Sequence, residues 1–219
     1  MTPTVLNSRA KWIVWGFLLG ITIGEGVLLA LTFRAKGDWF PAIMHYALTP
    51  LGNEPAWLLA AAVTIAYVFY AAAGSPVIRT HVLQPWTWRP FWGFCLLAIP
   101  MALISGLFEE AFFRRALMGL VMHHGGGVVV QVGISAVVFG GAHAIWGVFA
   151  RNFRAAWSTM LVTGVLGAVL AIIYLIGDRS LAPCAASHIA INLVLEPWLI
   201  LTAATGSWGR RSAAVGIAR

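Results

Sequence analysis

The sequence has little charge. Only 10% of its 219 residues are Asp, Glu, Lys or Arg, and seven are acidic. A soluble domain carries about 25% charged residues, so there is too little polar surface here to cover a soluble globule of this size. That argues against a soluble enzyme and against a disordered chain. Cysteine is equally scarce. Cys95 and Cys184 are the only two, both lie in apolar segments, and they offer neither a disulfide framework nor metal-ligand spacing. Clustered positive charge is missing as well. The net charge is +7, but the 14 basic residues are scattered in ones and twos, without the stripe that phosphate binding needs, so nucleic acid is not an expected partner. No internal repeat and no low-complexity tract is visible.

What is present is apolar: 60% of the residues are hydrophobic, and the mean hydropathy is +0.86. The chain reads as an all-α, polytopic integral membrane helical bundle of about six transmembrane helices, with the lipid bilayer as its first partner. The expected spans are about Trp12–Phe33, Ala56–Ala73, Phe91–Met122 as one long helix, Val128–Ala150, Ala155–Ile176 and Leu181–Ala204. The first run is too long for the apolar core of a cleavable signal, so it is expected to be retained. Gly74-Ser75-Pro76, Gly125–Gly127, Arg151–Arg154 and Gly177–Ser180 separate the spans. Residues 34–55 read as an interfacial connection, Trp86, Trp88 and Trp92 as an aromatic belt, and Pro100 as a kink. Gly164, Gly167, Ala168 and Ala171 suit close helix contact. Basic residues number nine on the side of the termini and five on the other, which predicts cytoplasmic termini. Three regions follow: residues 1–89 with the N-terminal helices, a core at 90–205, and a basic tail at 206–219.

Ionisable groups at membrane depth are costly, so the few that occur there are informative. In Glu109-Glu110-Ala111-Phe112-Phe113-Arg114, Glu110 and Arg114 stand four apart, the favourable acid-before-base order on a helix. That pairing leaves Glu109 free for other work, such as general-base catalysis. The second pattern is Phe139-Gly140-Gly141-Ala142-His143. The third is His188-Ile189-Ala190-Ile191-Asn192, again a spacing of four, where an Asn amide can stabilise an oxyanion and a His can donate, accept or bind metal. Taken singly, each has a plainer reading: a solvated helix end with a chance ion pair for the first, a packing histidine for the second and interhelical glue for the third. Glu109 lies 17 residues before Gly126 and His143 lies 17 after it, about 25 Å along straight helices, so an antiparallel hairpin sets them level. Bringing His188 to that level requires residues 111–126 to project beyond the membrane, as Arg114, Arg115, His123 and His124 suggest.

Glu-Glu-x-x-x-Arg, Phe-x-x-x-His and His-x-x-x-Asn, in that order over residues 90–200, resemble the CAAX protease and bacteriocin-processing family of intramembrane proteases. The resemblance implies that Glu109 activates water held by His143. It also implies that His188 and Asn192 hold that water or stabilise the oxyanion, and that Glu110 and Arg114 support the site. It leaves two options for cofactors: none, or a divalent metal such as zinc on Glu109, His143 and His188. A membrane-associated protein or peptide is the implied substrate, and a bacterial inner membrane the implied setting. A non-catalytic immunity or partner-binding protein and a small proton-coupled transporter are the alternatives. Glu196 extends the line of His188 and Asn192, either as a partner for a histidine or facing water at a span end. Glu25 is a helix contact or a cavity wall, and His123 and His124 are a solvated helix end.

Overall fold

The computed structural model describes residues 8–34, 43, 45–46, 49–74, 88–145, 147 and 153–205. Among these, every regular element is a helix. The helices are α1 (Ser8–Arg34), α2 (Glu54–Gly74), α3 (Trp88–Glu110), a π-helical segment (Ala111–Leu117), α4 (Met118–His123), α5 (Val128–His143), α6 (Phe153–Ile176) and α7 (Ala182–Thr205). α3, the π segment and α4 form one continuous rod, so the described chain crosses the bundle six times. Three stretches are long and apolar enough to cross a membrane unaided: Glu54–Ala73, Trp92–His123 and Ala156–Ile176. The fourth span is shorter than expected. α5 stops at His143 after 16 residues, about 24 Å. Gly147 is then pressed against the backbone of Ala156 at the start of α6. Pro100 lies inside α3. Trp86, half of the 34–55 connection and the loops at 75–87 and 148–152 lie outside the described residues.

Contacts fix the alternation of the helices. Gly26 faces Ile104, and Leu18 packs with Ala98 and Met101, so α1 runs parallel to α3. The α2 start and the α6 end meet where Asn53 caps α2 through Ala56 N–H (3.1 Å) and donates to the Ile176 carbonyl (2.6 Å). At that same end Arg179 donates to Gln131 (2.7 Å) and Gln131 to the Gly126 carbonyl (2.8 Å). Arg179 is therefore level with Gln131, and the tip of the α4–α5 hairpin extends past the α6–α7 turn. His123 and His124 are exposed at that tip. Arg114 is not part of it, contrary to the sequence expectation: its side chain is fully buried, because it spans the gap between helices as described below.

The main core joins Ala56 and Ala60 of α2, Met118 of α4, Leu170 and Ile173 of α6, and Cys184 and Ile191 of α7. α5 and α6 pack backbone to backbone. A Cβ on Gly164 would lie 3.4 Å from the Ala136 carbonyl, and one on Gly167 would lie 3.0 Å from the Phe139 ring. Small residues are needed there for the helices to come this close.

Candidate active site

The π segment begins directly after Glu110. A π turn disturbs the regular ladder of backbone bonds, and the Phe113 carbonyl within it accepts a bond from the buried Ser135 hydroxyl of α5 (3.3 Å). Phe113 and Arg114 both point inward from this turn. Arg114 Nε lies 3.0 Å from Glu110 Oε2, with both side chains 0% exposed. Its Nη2 donates to the Gly167 carbonyl of α6 at 3.2 Å. Its guanidinium sits over the Phe139 ring of α5 at 4.7 Å. One cation thus ties the α3 rod to α5 and α6, and the two buried charges are each other's partner.

Glu110 has a second partner. Its Oε1 accepts from His188 Nδ1 of α7 at 2.8 Å. His143, in the last turn of α5, directs its own Nδ1 to the Phe139 carbonyl at 2.9 Å. A carbonyl only accepts, so His143 Nδ1 is protonated and Nε2 is left free. Both histidines then turn Nε2 toward the same atom. Glu109 Oε2 lies 3.8 Å from His143 Nε2 and 4.0 Å from His188 Nε2. That oxygen is buried and accepts no hydrogen bond from any described residue. Phe139 is the shared wall, with its ring 4.5 Å from the His143 ring and 5.6 Å, nearly edge-on, from that of His188.

Asn192, one turn beyond His188, donates through Nδ2 to Ser105 Oγ at 3.3 Å. α3 and α7 are antiparallel here, since Ser105 meets Asn192 one turn away from Glu109 and His188. They approach closely at Gly106, where a Cβ would lie 3.4 Å from the Ile189 Cα. Ser187, beside His188, is clamped to α2 through Thr64 Oγ1 (2.8 Å) and the Ala60 carbonyl (3.3 Å). Ser105 and Gly106 were not picked out in the sequence, and Phe139 was read only as the first position of the Phe-x-x-x-His motif, without a role at the site. The signal available for the first two was their position one turn from Glu109 on an apolar helix.

The remaining intramembrane acids turn inward too. Glu25 of α1 is within electrostatic reach of Glu109 and His188. Glu196 is within reach of Glu109, Glu25 and the Ser105 hydroxyl. Among the described residues it pairs with no histidine, and it lies inside α7 rather than at its end.

Glu109, His143 and His188 are the side chains zinc would call on. Two ligands of a tetrahedral zinc at 2.0–2.1 Å stand about 3.3 Å apart, closer than the 3.8 and 4.0 Å separations here. No group of three His, Cys, Asp or Glu among the described residues is arranged to hold a metal. As arranged, the set does not fit the ion.

Residues 90–194, which contain all of these motif positions, match the model of the family described as type II CAAX prenyl endopeptidase Rce1-like. The segment belongs to that family. The Rce1-like segment begins within α3, runs through α4, α5 and α6, and ends in α7, so it takes in both sides of the centre. The family is one of endopeptidases, and the apolar helices place the segment in a membrane-type helical bundle. No curated protein and no solved structure gave a significant match.

Proposed function

We propose that the protein is an intramembrane endopeptidase in which Glu109 activates a water molecule for attack on a peptide carbonyl. The observation that carries this reading is the convergence of two imidazole Nε2 atoms on Glu109 Oε2, at 3.8 and 4.0 Å. Those separations exceed a direct hydrogen bond and suit atoms that share one water. Both Nδ1 atoms are committed elsewhere, so each Nε2 is available to that water.

In the proposed reaction the water oxygen attacks the carbonyl carbon while Glu109 takes its proton. His143 Nε2 holds the water's second hydrogen and so orients the attack. The developing oxyanion is met by the Asn192 amide, a preorganised donor in a site of low polarity. His188 accepts through Nε2 when neutral and donates when protonated. It can therefore hold water before attack and stabilise negative charge afterwards. The Glu109 proton then goes to the leaving amine as the peptide bond breaks. Glu110 and Arg114 take no part in bond making. They fix the His188 ring and the start of the π turn.

The substrate is proposed to be a membrane-associated protein or peptide, and the setting a bacterial inner membrane with cytoplasmic termini. The test compares membrane proteomes of cells carrying wild-type and Glu109→Gln protein for altered N- or C-termini. New termini that depend on Glu109, and that also vanish in His143→Ala and His188→Ala proteins of normal abundance, are the expected result. Identical termini in all four strains would refute the proposal.

A further inference from the structure

We infer that Ser105 is a positioning residue for the reaction: it fixes which way the Asn192 amide faces. This rests on the proposed role of Asn192 as an oxyanion donor. An amide has an oxygen side and a nitrogen side of nearly equal size, and only the nitrogen side can stabilise an oxyanion. Nothing in the spacing of His188 and Asn192 decides between them. Ser105 does. Its hydroxyl proton is donated to the Met101 carbonyl one turn back, at 2.9 Å. With that proton committed, Oγ has only lone pairs to offer, and Asn192 Nδ2 donates to it at 3.3 Å. The flipped amide would set two acceptors against each other. One Nδ2–H is thereby held and the amide plane fixed, leaving the second Nδ2–H for the oxyanion. The close approach of α3 and α7 at Gly106 keeps Ser105 within range.

The test is a double-mutant cycle. Membranes from cells carrying Glu109→Gln protein are the probe, and new termini are counted over time after purified enzyme in proteoliposomes is added, per unit of folded protein. Asn192→Ala should slow their appearance by about 100-fold, as loss of one oxyanion donor does. Ser105→Ala should slow it by about tenfold with the same cleavage positions, an effect smaller than losing the donor outright. Ser105→Thr, which keeps the hydroxyl, should restore the rate. In the Asn192→Ala background, Ser105→Ala should change nothing, because there is no amide left to orient. A multiplicative double variant, a Ser105→Ala protein at the wild-type rate, or a Thr variant as slow as Ala would each overturn the inference and leave the protease reading standing. An Asn192→Ala protein at the wild-type rate would refute the donor role itself. Absence of new termini with wild-type enzyme would sink the protease reading and this inference with it.

Discussion

Arg114 and Phe139 show how single side chains hold the centre. Removing the guanidinium would leave Glu110 buried beside His188 without its main counter-charge. Breaking a buried pair on one side costs about 3–5 kcal/mol, so Arg114→Met should fail to accumulate or should melt early in detergent. Glu110→Gln combined with Arg114→Met should be milder than Arg114→Met alone, because no lone charge remains. A double variant no more stable than the single one would contradict this. Arg114→Lys should rescue poorly, since an ammonium cannot both stack on Phe139 and reach Gly167. Phe139 touches both imidazoles and the Arg114 guanidinium. Phe139→Leu keeps most of the volume but loses the ring contacts, worth about 0.5–1.5 kcal/mol per aromatic pair. A modest fall in melting temperature with a larger fall in turnover is expected, read by thermal unfolding and by terminus counting on the same sample. Chelation is a further test at this scale: dialysis against EDTA should leave the rate unchanged, and a loss reversed by zinc would show that a metal takes part.

At the scale of the helices, the antiparallel contact of α3 and α7 matters most. A methyl at Gly106 would come within 2.6 Å of Ile189 Cγ1, next in sequence to His188. Overpacking of this kind costs about 1–3 kcal/mol. Gly106→Ala should therefore move α7 off Glu109 and depress turnover, and adding Ile189→Ala should recover much of it, since that removes Cγ1. No recovery, despite normal abundance, would mean that the contact does not set the spacing. Much at this scale could be read from the sequence. The apolar runs gave the helices, the glycines gave the turns at 125–127 and 177–180, and the spacing of Glu110 and Arg114 gave the partner of each. The π turn could not be read, because Ala-Phe-Phe-Arg-Arg-Ala-Leu suits an α-helix equally well and only packing against Ser135 distinguishes the two. Nor could the early end of α5 at His143. Ser105 was hidden for a related reason: a hydroxyl bonded to its own helix at i−4 is ordinary, and only the neighbouring helix makes it significant.

For the whole molecule, the family match covers residues 90–194, yet the core does not stop there. Ala56 and Ala60 of α2 are buried against α6 and α7, and Thr64 holds Ser187 beside His188. Glu25 of α1 comes within electrostatic reach of Glu109 and His188. A protein lacking residues 1–74 should therefore be unstable or inactive, and co-expression of those residues as a separate fragment should restore some activity. A stable, fully active truncation would show that the first two helices are dispensable. Four of the seven acids, Glu25, Glu109, Glu110 and Glu196, gather around one place in the bundle.

The π turn at Ala111–Leu117 bears on how this chain should be aligned with others. A π turn has the geometry of an α-helix that has accepted an extra residue. A relative with an uninterrupted α-helix here would need one residue fewer to keep Met118 and the rest of α4 facing the same core. The gap in such an alignment belongs between Glu110 and Met118. Placed before Glu109, it would put the acids of one protein opposite the wrong positions of the other; placed after Met118, it would do the same to the core face of α4.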